Sequence, residues 1–286
     1  MPKALRSPQP KRHHTIPEML QKRFLDSDKR IWFYDERRPH EGIQRTVRDN
    51  LFVETHAYST IEEDGSRNAD QELIFSRLEG RADHLLDKIV ENARRNHTAD
   101  LSEEERALAN EFLMFQMKRV PDFFKQVAVD AEGQIETYIA KFEADGGKIS
   151  ESEKASLRDP AFVKRAVQNA RVYGVGRQSD RILSAFAAKG LTVAHISPNE
   201  GSFILGSHPT ARYAAPDGRK DLGHPDVELW LPVASDVAIT LYGESGTESL
   251  VKLNNAGVTK INKTIFDQST VVASGARSVL DALIGS

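Results

Sequence analysis

The apolar positions of this 286-residue chain fall into two rhythms. Between Asn68 and Arg95 they recur three and four apart, at Leu73, Ile74, Leu78, Ala82, Leu85, Leu86, Ile89, Val90 and Ala93, the stripe of a long amphipathic helix. Ser102 and Glu105 form a capping-box pattern that opens a second helix through Leu108, Phe112, Phe115 and Met117. Pro121 should end or kink it, having no amide hydrogen and crowding the preceding turn. Helical spacing resumes through Tyr138 and Phe142 to Gly146-Gly147, then from Asp159-Pro160 through Val167, Val172 and Phe186 to Gly190.

On either side of this helical block the rhythm shortens. Arg30–Asp35 (Arg-Ile-Trp-Phe-Tyr-Asp) and Asn50–Glu54 read as strands of a small antiparallel sheet, with a closing loop at Asp64-Gly65-Ser66. Ahead of them Thr15, Pro17 and Glu18 predict a capped helix of about two turns, with Leu20 and Phe24 on its apolar face. Beyond Gly190 short strands are expected at Leu191–Ile196, Phe203–Leu205, Val227–Leu231 and Val237–Leu241. The last stretch, from Val258 through Ile261, Ile265, Val272 and Val279 to Leu283, returns to helical spacing and should cover that sheet.

The pattern predicts an α+β fold. Its expected segments are a mobile arm at 1–10, a basic helix and small sheet at 11–66, a helical layer at 67–190 and an α/β region at 191–286. One composite domain holding all of them is equally open.

Composition narrows the chemistry. The net charge is −3, yet residues 1–40 hold ten Lys or Arg against five Asp or Glu, so the electropositive surface is concentrated at the N-terminal end. With no cysteine, thiolate nucleophiles, disulfides and Cys-type zinc sites are excluded, and any metal must sit on His, Asp or Glu. No apolar run is long enough to span a bilayer, and the basic N-terminus has no apolar core behind it, so no membrane association and a cytoplasmic location are expected.

The densest candidate chemistry is Lys11-Arg12-His13-His14. One imidazole would act as base or ligand beside a phosphate held by Lys11 and Arg12. The spacing from His14 to Pro17 resembles the first element of His-Asn-His nucleases, in which the catalytic base precedes a proline by three. Asn50 and His56 would follow at shorter spacing, and the glycine-rich and cysteine elements are missing. The competing reading packs one ring under the small sheet and bonds the other to a backbone carbonyl.

Glu72 and Glu79, seven apart on one helix, share a face and would offer two carboxylates to Mg or Mn; a solvated edge paired with Arg77 or Arg81 is the alternative. Gln116 and Arg119 share a face just before Pro121, where Arg119 either binds an anion or ties the helix end to Glu72 or Glu79. Ser207-His208, at the end of a buried-looking strand, adds a ligand-binding candidate, although a nucleophile elbow would need a second glycine. His195 and His224 are dispersed. Gly174-Val175-Gly176 follows helical sequence and lacks the third glycine of a dinucleotide loop.

Four stretches together resemble a bacterial family known as domain of unknown function 4238. They are His13, His14, Ile16, Pro17, Leu20 and Phe24; Phe112, Gln116, Arg119 and Pro121; Phe203-Ile204 with Pro209; and Ile261-Asn262. The resemblance spans nearly the whole chain. Thr15 stands where the pattern usually has an aromatic, and Ser207 where it usually has Asp. The resemblance implies organisation and carries no known activity.

Two functions are expected from the residues. The first is a metal-assisted phosphodiesterase acting on nucleic acid. In it His14 is the base, His13 with Lys11 and Arg12 positions phosphate, Glu72 and Glu79 hold Mg or Mn, and Gln116, Arg119, Ser207 and His208 are further ligand contacts. The second is a non-catalytic sensor of an anion or partner, in which the histidines are structural.

Overall fold

The computed structural model describes residues 11–197 and 200–285, with the backbone alone at 121–122, 124–128 and 130–132. The arm expected at 1–10 lies outside the described residues. In chain order the elements are β1 (Arg12–His14), α1 (Glu18–Gln21), β2 (Ile31–Asp35), β3 (Gln44–Thr46), β4 (Val53–Thr55), β5 (Thr60–Ile61), β6 (Arg67–Asn68) and α2 (Asp70–Arg94). There follow α3 (Glu103–Lys118), α4 (Pro121–Ala144), α5 (Glu151–Leu157), α6 (Pro160–Gly176), α7 (Asp180–Ala187), β7 (Lys189–Ile196), β8 (Leu205–Gly206) and β9 (Ala211–Tyr213). The chain ends with β10 (Glu228–Ala234), β11 (Val237–Glu244), β12 (Glu248–Leu253), α8 (Asn255–Gln268), β13 (Val271–Ser274) and α9 (Arg277–Ile284). The fold is α+β.

Two compact units interleave along the chain. The first comprises residues up to His13, Glu54–Ser76 and Pro121–Arg177; the second comprises His14–Val53, Arg77–Val120 and Gln178–Ser286. Helix α2 contributes its first turns to one and its remainder to the other.

In the first unit α6 packs on α4, on α5 and on the β5–β6 hairpin. Two neighbouring amides at the middle of α6 hold the 56–61 loop by its backbone. Gln168 donates to the carbonyls of His56 (3.2 Å) and Ser59 (2.9 Å). Asn169 accepts from the amide of Ile61 (2.7 Å) and donates to its carbonyl (2.9 Å). Asp159 caps α6 through the amides of Ala161 and Phe162, with Pro160 at the first helical position, where a missing N–H costs nothing.

The second unit holds two sheets. One runs in the order β12-β7-β11-β10-β9, with β7 between β12 and β11 and buried along almost its whole length, and β12 parallel to it. The other runs β3-β2-β13-β8 and joins segments more than 200 residues apart, Val272 lying opposite both Tyr34 and Gly206. Helix α8 packs on β8, β9 and β12, and α9 on β2 and β13.

Three sequence expectations change. Thr15 does not cap α1, whose N-cap is Pro17 without a side-chain bond; the Thr15 hydroxyl donates instead to the carbonyl of Phe52 at 3.1 Å. The helix expected from Val258 to Leu283 is split by β13, because Val271-Val272 and the flanking small residues complete the sheet begun by β2. Strand β12 was not expected, since Glu248-Ser-Leu-Val-Lys-Leu is a half-exposed edge strand without clean alternation, held through its backbone to β7.

Candidate functional site

The residues of Lys11–His13 meet the turn after β4 in the first unit. The carbonyl of Lys11 accepts from the amide of His56 at 2.8 Å, and His56 turns the chain through a left-handed φ of 59°. The turn brings the amide of Tyr58 to Nδ1 of His13 at 2.9 Å. His13 has no exposed surface. Its ring stacks on Tyr58 (centroids 5.6 Å apart, 11° between planes), which stands edge-on to Phe75 at 4.9 Å. Because Nδ1 accepts the amide hydrogen, the proton of the neutral ring is on Nε2. Glu72 brings a carboxylate oxygen to 3.9 Å from that same Nδ1, beyond hydrogen-bond range. His13 is thus a wedge in an aromatic stack and the acceptor that fixes the 56–58 turn.

His56 stands edge-on to His13, with centroids 6.4 Å apart, and its Nδ1 is 3.4 Å from the Ser59 hydroxyl. Burial, and then the positive charges of Arg67 and Lys11, hold its pKa below the ordinary histidine value. Both cations are exposed, and neither makes an ion pair with a described residue. Sequence reasoning singled out Lys11 and touched His56 only as a weak nuclease-pattern match. It missed Arg67 and the Gln168-Asn169 pair, for which the only signal was two adjacent amides on a helix.

In the second unit Nδ1 of His14 lies 3.2 Å from Glu18, and Glu18 is 3.5 Å from Arg48. Nε2 of His14 is closed to solvent. The carbonyl of His14 accepts from Nη2 of Arg119 at 2.6 Å, while Nη1 of Arg119 is paired with Glu79. Arg119 stands there because Pro121 ends α3 and makes Arg119 its C-cap; it is 2% exposed. Of the two roles open to Arg119 in the sequence, the contact with Glu79 is the one that matches the tie between a helix end and a carboxylate. Gln116, one turn earlier, is buried, and among the described residues its amide has no hydrogen-bond partner.

Ser207 and His208 belong to the junction of β8 and β13. The Ser207 hydroxyl accepts from the amides of Thr270 (3.1 Å) and Val271 (3.4 Å), and the amide of His208 donates to the Ser269 hydroxyl. Asn262 is a second buried clamp, accepting from the amide of Ile204 and donating to the carbonyl of Ser202. Arg23, a further cation that sequence reasoning passed over, is nearly buried and bonded to the Asp83 carbonyl and to the carboxylates of Asp83 and Asp87.

The structure therefore places Glu72 near His13 without a hydrogen bond between them, pairs Arg119 with Glu79 and joins Lys11 to His56 through the backbone. Among the described residues no three His, Asp or Glu side chains are grouped to hold a metal ion, and no helix is long and apolar enough to cross a membrane.

These features define an α+β protein in which Arg119 at the end of α3 is hydrogen-bonded to the carbonyl of His14, and whose first unit carries exposed cations at Lys11 and Arg67. The chain belongs to the family described as Protein of unknown function (DUF4238), whose model matches residues 12–276. No curated protein and no solved structure matches the chain.

Proposed function

We propose that the protein binds a phosphorylated polyanion, nucleic acid being the first candidate, at Lys11, His56 and Arg67 of the first unit. The observation that carries this reading is a pair of exposed cations with no ion-pair partner among the described residues, one of them fixed beside an imidazole by a 2.8 Å backbone bond. A phosphate between them would offset the repulsion from Arg67 and Lys11 that adds to burial in lowering the pKa of His56. Protonated His56 would then add a third positive charge, so binding takes up a proton and tightens as the pH falls. The fixed, fully buried His13 and the committed Arg119 favour recognition over catalysis at these positions.

The test is binding of a labelled single-stranded oligonucleotide to the full chain across a salt series. Neutralising two phosphate contacts should reduce the log–log salt slope by about 1–2. Lys11→Gln with Arg67→Gln is expected to weaken binding at least about tenfold and flatten that slope; unchanged affinity in the double variant would refute the reading.

A second reading, phosphodiester hydrolysis, is supported by the 3.2 Å contact between His14 and Glu18, since a carboxylate on Nδ1 orients an imidazole for base work. Because Nε2 is shielded, a substrate would reach it only after the 14–18 segment shifts. Its assay is cleavage of the same oligonucleotide with and without Mg or Mn, compared with His14→Ala. Equal activity in that variant removes His14 from any mechanism.

A further inference from the structure

The second unit contains a cavity of about 490 Å³ that lies far in sequence from the His-His segment. One wall is α7, which presents Arg181, Ile182 and Ala185; the other is Arg212 on β9 and the loop residues Lys220 to Gly223. The cleft exists because β9 is an edge strand of the five-stranded sheet, so its outer side is left to the long β9–β10 loop. That loop is anchored at its base. The buried amine of Lys189 donates to the carbonyl of Val227 at 2.5 Å, and Asp221 accepts from the amide of Gly223 at 3.2 Å.

The charge on the walls is one-sided. Arg181, Arg212 and Lys220 face the cavity against the single carboxylate of Asp221, and none of the three makes an ion pair with a described residue. Carboxylates are at hand in the same loop, for Arg219 is paired with Asp217 at 2.6 Å. Three cations left over in one concave place, two of them guanidinium forks, suit a phosphate dianion. Ile182, Ala185 and Leu222 add an apolar surface beside them, and the volume falls in the range of small-ligand sites. The start of α7 does not supply the recognition, since the Ser179 hydroxyl already caps the amide of Ile182.

We propose that this cavity is a binding site for a small phosphate monoester of nucleotide size, with Arg181, Arg212 and Lys220 holding the phosphate and Ile182, Ala185 and Leu222 receiving the organic part. It is independent of the polyanion site proposed at Lys11, His56 and Arg67.

The experiment is titration calorimetry of the full chain with AMP, with adenosine and with inorganic phosphate. AMP should bind at least tenfold more tightly than adenosine, and more tightly than phosphate alone. Arg212→Gln should weaken AMP at least tenfold, and Asp221→Asn, which removes the opposing charge, should tighten it several-fold. Arg212 is an exposed side chain on an edge strand, so this variant should keep the circular dichroism of the parent. Lys11→Gln with Arg67→Gln should leave AMP binding unchanged, which separates the two sites. The proposal is overturned if AMP produces no heat at millimolar concentration, if Arg212→Gln and Asp221→Asn bind AMP like the parent, or if only an oligonucleotide binds at these residues.

Discussion

Replacing Arg119 by alanine should destabilise the second unit by about 3–4 kcal/mol. Arg119 is 2% exposed and uses two nitrogens on two partners, the carbonyl of His14 at 2.6 Å and the carboxylate of Glu79. Losing a hydrogen bond from a charged donor costs about 1.5–3 kcal/mol and leaves the His14 carbonyl short of a donor. Glu79 keeps 21% of its side-chain surface in water, so its stranded charge adds less than a fully buried one would, about 1 kcal/mol. The assay is urea unfolding followed by tryptophan fluorescence. The chain has two tryptophans, Trp32 and Trp230, and both lie in the second unit, so the signal reports that unit alone. With a slope of about 2 kcal/mol/M the midpoint should fall by roughly 1.5–2 M. Arg119→Lys keeps the charge but not the fork and should fall between. In a double-mutant cycle with Glu79→Gln the two losses should couple by about 1 kcal/mol or more. A loss below about 1 kcal/mol for Arg119→Ala, or strict additivity with Glu79→Gln, would refute the structural role and return Arg119 to the ligand-binding candidates.

Further outcomes follow from the same bonds. His56 should titrate in the folded chain below about 6.5, and Arg67→Gln should raise its pKa, both read by histidine ring NMR. Because its folded pKa is depressed, the stability linked to His56 is present above about pH 6.5 and is lost as the pH falls from there through the folded value. His13→Ala leaves the Tyr58 amide without its acceptor and opens the aromatic stack, so it should cost about 3 kcal/mol and speed hydrogen exchange at Tyr58; unchanged exchange there would contradict the assignment. Ser207→Ala should destabilise by about 1–2 kcal/mol, while Ser207→Asp should retain most of the parent's stability, because a carboxylate can accept from the amides of Thr270 and Val271 as the hydroxyl does. Thermal melts of the two variants decide it, and an Asp variant less stable than the Ala variant would refute the reasoning.

How much of this was legible in the sequence depended on the distance between partners. The capping box at Ser102 and Glu105 forms as its three-residue spacing requires, and Asp159-Pro160 opens α6, because every atom involved is local. The α+β class and the long helix at 70–94 likewise follow from periodicity alone. The sheet order did not. Strand β13 finds β2 across more than 200 residues, and nothing in the pattern near Val272 distinguishes a strand from one more helical turn. Thr15 and Glu18 show the same limit from the other side. Their capping-box spacing is correct, yet the hydroxyl is taken by the carbonyl of Phe52, 37 residues away, and the carboxylate by His14.

The candidate site divides along the same line. His13 stood out in a basic cluster, Glu79 by its spacing from Glu72, Arg119 by its place before Pro121 and Ser207 at a strand end, but none of these local signals separates a catalytic group from a clamp. The partner decides, and each partner is remote: Tyr58 lies 45 residues from His13, and Glu79 lies 40 from Arg119. Once those partners are known, the polar groups of the family-like motifs are largely engaged in holding backbone, as His13 holds the amide of Tyr58, Ser207 that of Thr270 and Asn262 that of Ile204. Groups so engaged cannot at the same time serve a ligand without giving up a buried bond. Binding chemistry is therefore better sought where charge remains uncommitted. Two such places are the exposed Lys11 and Arg67 beside His56, and the three cations that face Asp221 across the cavity beside α7.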